Sequence, residues 1–579
     1  MGSRAEAAQA ARIFKKVELC PSFTVIGALS PGLSDVEKRM VCGDPKSDSW
    51  KTIPKNQARF NFSTFMQDRA LYHVHYTEEP ASLIAELGPP TYVSRLTWEG
   101  APPHTEIERK RLIIGQKLTP LLLDTIEQWT IKRLGAIGYP CAKVKSHADP
   151  DTGEVHLVIT PGPRLNLIGV HEVDTPGLAK GVIRRYDAFR LGTLYDGDNL
   201  VTTSNRIVSQ GLFDSSFFIP ACQADGAFAS QEIVSSPPRL LSLQAGVNTE
   251  EYLVGRAIWT ESRIGKNGSA LSVQLYASFK SQQISSHLDD YVFDPGSRQA
   301  LRPYISIDHE NWSAYETGTF TAQFAHETSW DGGTPDLGFK VITGPELDEI
   351  RTYRGVGPSN SHFLSLMSSW TMMTHDFEFY SDANAPRTGY SATANLAFTN
   401  QSLYSTVSVQ RLDLRWEGLW NYRDYDPPLF VFGLRAGYDT TVTGERPSFA
   451  NIYGVLIPPT YLHFLGGSRD LRGFGVQELP LQPAGTQSGD QIGSLTDAFV
   501  SFETRLVATL PWGFEPFAFL DVGALGNTPW SLIEPIYWDP GIGLRLQSPI
   551  GVFRATLAHG FIGTTPDHYQ FYFSFGQEF

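Results

Sequence analysis

Gly466-Gly467-Ser468-Arg469-Asp470-Leu471-Arg472-Gly473-Phe474 sits inside a Gly- and Pro-rich stretch, residues 444–493, between two runs of strand-like alternation. A structureless loop of that length is uncommon in a compact domain unless it is functional or disordered. Disorder is not expected where Leu462, Phe464, Leu465, Leu471 and Phe474 fall so densely. The glycines let the backbone turn tightly and pass close to a wall. Arg472 then stands at the tip as a planar, permanently charged donor. An ordinary surface turn with a solvated arginine reads the nonapeptide equally well, and the neighbouring segments have to decide.

In those segments the period is two. Phe430, Phe432, Leu434, Ala436 and Tyr438 alternate with Val431, Gly433, Arg435 and Gly437, and residues 271–279, 390–398 and 500–506 behave alike. About sixteen such segments follow one another from Arg239 onward, many near the roughly 9–11 residues that cross a bilayer at a tilt. Their polar face carries Arg435, Glu503, Arg505, Arg545 and Arg554. Charges there suit a wet lumen better than the packed core of a soluble sandwich. The pattern predicts an all-β transmembrane barrel of about 16 antiparallel strands over residues 239–579. A mean hydropathy of −0.19 is compatible with it, because only alternate residues face lipid. No apolar run is long enough for a membrane helix. The net charge of −14 comes without a basic stripe, so no nucleic acid is expected as a partner.

Before Pro237-Pro238, helix-period and strand-period segments alternate. The clearest unit is 91–163. It reads as a strand at 92–98, a short helix opened by the capping pattern Thr105-x-x-Glu108, and a second helix with Thr119 as cap and Pro120 in its first turn. Two strands, 142–147 and 154–160, complete it. A second β-α-α-β-β copy covers 164–238, with helical stretches near 178–189 and 198–210, and a weaker one covers 23–90 behind an N-terminal segment, 1–22. Repetition at this spacing indicates an array of small modules. Residues 1–12 have no apolar core of signal-peptide length, so an exported form is expected to have lost its leader already. No hydrolase elbow, P-loop, HExxH or EF-hand pattern occurs, and the fourteen histidines are scattered. No enzyme activity, cofactor or metal is expected.

The C-terminal third resembles the outer-membrane assembly and translocation superfamily of BamA, TamA and the two-partner secretion transporters. The likeness is carried by the loop 466–474 with its Leu-Arg-Gly-Phe core and by Phe517-Ala518-Phe519-Leu520-Asp521-Val522-Gly523. Gly541-Ile542-Gly543-Leu544-Arg545, Ser548-Pro549-Ile550-Gly551 and the last strand, 569–579, continue it in order. The modules resemble that family's periplasmic POTRA domains, and three of them before a barrel of this length look most like the TamA branch. The resemblance implies a Gram-negative outer-membrane protein with its N-terminal domains in the periplasm. It implies that loop 444–493 folds inward, with Gly466, Gly467, Leu471, Arg472, Gly473 and Phe474 as the functional motif. Unfolded outer-membrane clients, a periplasm-spanning inner-membrane-anchored partner and the bilayer are the implied partners. Assembly or insertion of client barrels and autotransporters is the expected function. Secretion of an extended polypeptide through the lumen is the alternative.

Three local expectations follow. Strand parity turns Glu503 and Asp521 toward the lumen, where two carboxylates are poorly tolerated without a cation. The resemblance implies that the inward loop brings Arg472 to them, so Arg472 should bridge the pair with Phe519 packed nearby. At the seam, Leu241, Leu243 and Ala245 of the first strand and Phe571, Phe573 and Phe575 of the last should face lipid, in a row ending at Phe579. Gly576 should let the last strand bend away from its neighbour, leaving the seam the most weakly paired junction. Cys20 and Cys42 should form a disulfide in an oxidising compartment.

Overall fold

The computed structural model describes residues 16–29, 31–44, 53–103, 105, 113–172, 175, 177–332, 337–374, 377, 379, 388–422, 429–444, 457–479, 491–507, 510, 513–548 and 551–576. Two compact units divide it. One holds residues 1–166 with Leu194–Gly197 and Cys222–Ala227, and the other holds the remainder.

In the first unit, β1 (Lys16–Cys20), β2 (Phe23–Ile26), β3 (Val74–Glu78) and β4 (Leu83–Leu87) form a sheet in the order β1-β2-β4-β3. Helices α1 (Asp35–Cys42) and α2 (Lys55–Gln67) accompany it. Ser34 and Glu37 close a reciprocal capping box that starts α1. Phe23, Val25, Phe62, Met66, Leu83 and Ala85 make the core. The module therefore begins by residue 16 rather than 23, because Lys16 to Cys20 pairs with β2 and cannot be a separate leader. Cys20 and Cys42 are disulfide-bonded, with Cα atoms 6.1 Å apart. Closing a loop of 22 residues is worth about 3 kcal/mol in the chain-entropy description. Replacing both cysteines by alanine should make residues 16–88 the first region cut in limited proteolysis. Unchanged resistance would remove that role.

The second module has β5 (Arg95–Glu99), α3 (Pro120–Ala136), β6 (Lys143–Asp149) and β7 (Glu154–Thr160), with β5 parallel to β7 at the sheet centre. Thr119 caps α3 by accepting from Leu122 N at 3.1 Å. The helix expected after Thr105 lies outside the described residues. A second disulfide, Cys141–Cys222, was not foreseen. Its partners are 81 residues apart, and only the tertiary fold brings them together.

The third module comprises β8 (Leu167–His171), α4 (Gly197–Ser209), β9 (Phe213–Cys222) and β10 (Ala227–Ser235), ordered β8-β10-β9. Where a helix was expected near 178–189, only a 3-10 turn, Ile183–Tyr186, is present. Tertiary contacts override the local pattern there. Buried Arg185 donates to Asn267 O at 2.6 Å and stacks 3.7 Å over Tyr291. Arg206 of α4 and Arg298 both clasp Asp331, at 2.8 and 2.7 Å, so this module is tied to the barrel within the second unit.

Sixteen antiparallel strands close the barrel. They are β11 (Arg239–Asn248), β12 (Tyr252–Ile264), β13 (Ser269–Ala277), β14 (Ser281–Asp289), β15 (Gln299–Asn311), β16 (Glu316–Asp331), β17 (Leu337–Arg354) and β18 (Asn360–Thr374). The second half is β19 (Gly389–Thr399), β20 (Val409–Asn421), β21 (Phe430–Thr443), β22 (Thr496–Leu506), β23 (Phe514–Thr528), β24 (Ser531–Ser548), β25 (Gly551–Ile562) and β26 (Thr565–Gly576). The alternation read from sequence is the in-out alternation of the wall. In β22, Val500 and Phe502 face outward while Ser501, Glu503 and Arg505 are buried inside.

Candidate functional site: the inward loop and the seam

Residues 457–479 and 491–495, between β21 and β22, fold against the inner wall. Leu465, Leu471 and Phe474 are buried with Phe499 and Leu525 of the wall, and this apolar contact carries the loop tip inward. Gly473 is required by the approach, because a Cβ there would come within 2.4 Å of the Asp539 Cβ. Gly466 and Gly467 form the turn in which Gly467 N donates to Leu471 O and Phe474 O, at 3.3 and 3.2 Å.

Arg472 is 0% exposed. Its Nε and Nη2 donate to the two Asp521 oxygens, each at 2.8 Å, and its backbone N donates to Asp521 Oδ2 at 3.1 Å. Nη1 reaches Glu503 Oε2 at 2.6 Å, and Nη2 also donates to Ser501 Oγ at 2.9 Å. The guanidinium lies 3.5 Å over the Phe519 ring. The structure thus brings together every residue that parity had placed here. It adds Ser501, Arg505, which donates to Glu503 at 2.6 Å, and Asp539, directly across from Asp521 and fully buried. Strand alternation had already put Arg505 on the lumen face, two residues along from Glu503. Asp539 needed the register of β23 with β24.

At the seam, among the described residues, β11 and β26 pair at two positions, Val247 with Phe575 and Asn248 with Ser574, supplemented by Thr249 N donating to Phe573 O at 3.0 Å. Among the described residues the next shortest junction, β14 with β15, runs from Ser281 to His287. Leu241, Leu243 and Ala245 project outward and exposed, as does Phe571, while Phe573 and Phe575 are half-buried on the same face. Phe579 lies outside the described residues. Gly576 does not serve to bend the strand away. Its φ is +119°, and a Cβ would come 2.8 Å from Ala245 O and Gly246 Cα, so it marks a close approach of β26 to β11.

The loop also touches both sides of the seam, which the sequence did not suggest. Ser468 N and Oγ donate to the Glu250 carboxylate, each at 2.7 Å, just past the end of β11. Tyr572 of β26 donates its hydroxyl proton to Phe474 O. The motif therefore braces the junction that, among the described residues, has the fewest strand pairs of its own. A Ser468→Ala/Tyr572→Phe variant removes the two side-chain hydroxyl bonds and keeps only the Ser468 backbone N–H on Glu250, each lost bond worth roughly 1–3 kcal/mol when a buried partner is left unpaired. Hydrogen exchange at residues 239–249 and 565–576 should quicken about tenfold or more. Unchanged exchange would show that the loop does not hold the seam.

The Omp85 superfamily domain matches residues 239–579. No curated protein matches the chain. Among solved structures, BamA from Haemophilus ducreyi lacking POTRA domains 1–3 is similar at 16% identity and a TM-score of 0.52, over 82% of this chain and 98% of that one. CdiB from Acinetobacter baumannii reaches 12% identity and 0.46, over 90% and 97%. POTRA3-5 of Haemophilus influenzae BamA reaches 14% and 0.26, over 38% and 96%. Because the family match takes in the whole closed barrel and its inward loop, this chain belongs to the Omp85 superfamily, outer-membrane barrels for protein insertion and translocation.

Proposed function

We propose that this protein inserts client β-barrel or autotransporter proteins into a Gram-negative outer membrane, as a TamA-like member of its family. The observation that carries the reading is the seam, paired at two positions among the described residues in a barrel whose other junctions are longer. Unpaired backbone is very costly in lipid, so a junction this short is where a client strand can add with least loss. Strand addition to a free edge supplies main-chain hydrogen bonds without sequence specificity. The three α+β modules would stand in the periplasm, receive unfolded clients on their sheet edges, and meet an inner-membrane-anchored partner. No catalysis is assigned, and client folding supplies the driving force.

A secretion pore of the two-partner type is the competing reading. The buried Arg472 contacts disfavour it, since a polypeptide in the lumen would have to displace them. Reconstitution into lipid vesicles separates the two. Insertion should raise the yield of folded, heat-modifiable client in the bilayer without raising vesicle conductance. Client protected inside the vesicles, with high conductance and the loop intact, would overturn the insertion reading.

A further inference from the structure

A second charged cluster on the lumen wall takes no part in the Arg472 contacts. Asp413 of β20, Asp439 of β21 and Asp497 of β22 stand directly across from one another, so all three side chains leave the wall on the same face. Like charges placed opposite across strands repel. Carboxylate oxygens of Asp413 and Asp439 and a ring nitrogen of His463, on the inward loop, lie within 4.8 Å of one another. Asp470 of the same loop faces Asp439 as well.

Protein cations answer only part of this charge. Arg415 grips Asp439 with both Nη atoms, Nη1 to Oδ1 at 2.5 Å. Asp497 is 4% exposed, and its Oδ1 has no hydrogen-bond partner. Arg411, which faces Asp413, is stacked 3.9 Å over the Tyr461 ring. His463 is held in a ligating form. Thr441 Oγ1 donates its only proton to Tyr461 O at 2.8 Å, so it must accept from His463 Nε2 at 3.0 Å. In the neutral ring that leaves the Nδ1 lone pair available, and a hydrogen bond to the other nitrogen is how metal-binding imidazoles are oriented.

We propose that Asp413, Asp439 and His463 bind a divalent cation that pins the inward loop to β20 and β21, with Asp497 beside it offsetting the charge. A carboxylate has about four lone-pair sites, so Asp439 can hold Arg415 and the ion together. Few donors with one imidazole suit Zn²⁺, whereas Ca²⁺ takes roughly six to eight oxygens. The test uses the full-length protein in detergent, stripped with a chelator and dialysed against Zn²⁺ alone, with bound metal counted by mass spectrometry. About one Zn²⁺ per chain is expected, and Asp413→Asn and His463→Gln should each weaken binding at least about tenfold. Heat-modifiable migration checks that both variants keep the barrel, and the near-isosteric Asp413→Asn carries the test if His463→Gln does not fold. X-ray absorption of the wild-type complex should show an N/O shell with an imidazole. Absence of stoichiometric Zn²⁺, or binding that both variants retain in full, would overturn the site and leave the neighbouring arginines, Arg415 and Arg411, as its counter-charges.

Discussion

An Arg472→Ala variant is expected to lose about 3–5 kcal/mol of local stability, the cost of leaving a buried charge without its partner. The loss should fall mainly on Asp521. Glu503 keeps Arg505 at 2.6 Å and Arg554 at 3.8 Å. Asp521 accepts three hydrogen bonds from Arg472. Without them it would face Asp539, equally buried, across the β23–β24 register. Adding Asp521→Asn should therefore restore part of the loss, so that the double variant costs less than the sum of the single ones. Arg472→Lys should recover only a fraction, since an ammonium cannot reach Asp521, Glu503 and Ser501 in one planar fork. Hydrogen exchange over residues 457–479 reads the effect directly. Wild-type protection of that loop in the alanine variant would mean that the apolar contacts of Leu465, Leu471 and Phe474 hold it unaided.

The residues around Arg472 were legible because a barrel wall obeys a period of two. Once Val500 and Phe502 are assigned to lipid, Glu503 must point inward, and the same holds for Asp521 between Leu520 and Val522. Sixteen strands were countable for the same reason. What the sequence did not disclose depends on register or on distant partners. Asp539 lies beneath Gly473 only because β23 and β24 pair as they do. Ser468 meets Glu250 across 218 residues, and neither side chain signals the other. The Cys141–Cys222 bond joins segments that local pattern treats as separate modules. Gly576 was read as a point of divergence because a missing side chain permits either a bend or a close approach. The neighbouring backbone decides between them.

The second large effect concerns the seam. Val247 and Phe575 stand opposite one another on the outer face, where facing Cβ atoms of neighbouring strands lie about 4.5–5.5 Å apart. A cysteine pair at these positions needs only a small shift to reach disulfide geometry. All four native cysteines are already bonded, so the engineered pair would be the only free thiols. The cross-link adds no bulk to the lumen and leaves Arg472, Glu250 and Tyr572 in place, so the barrel should stay folded and heat-modifiable. It closes the junction proposed as the side entry for a client strand. The decisive measurement is client insertion into vesicles by the Val247→Cys/Phe575→Cys protein, oxidised and then reduced. Insertion should fall to the level of empty vesicles when the pair is oxidised and return on reduction under conditions that spare the native disulfides. Full insertion by the oxidised, folded protein would contradict lateral opening at β11 and β26.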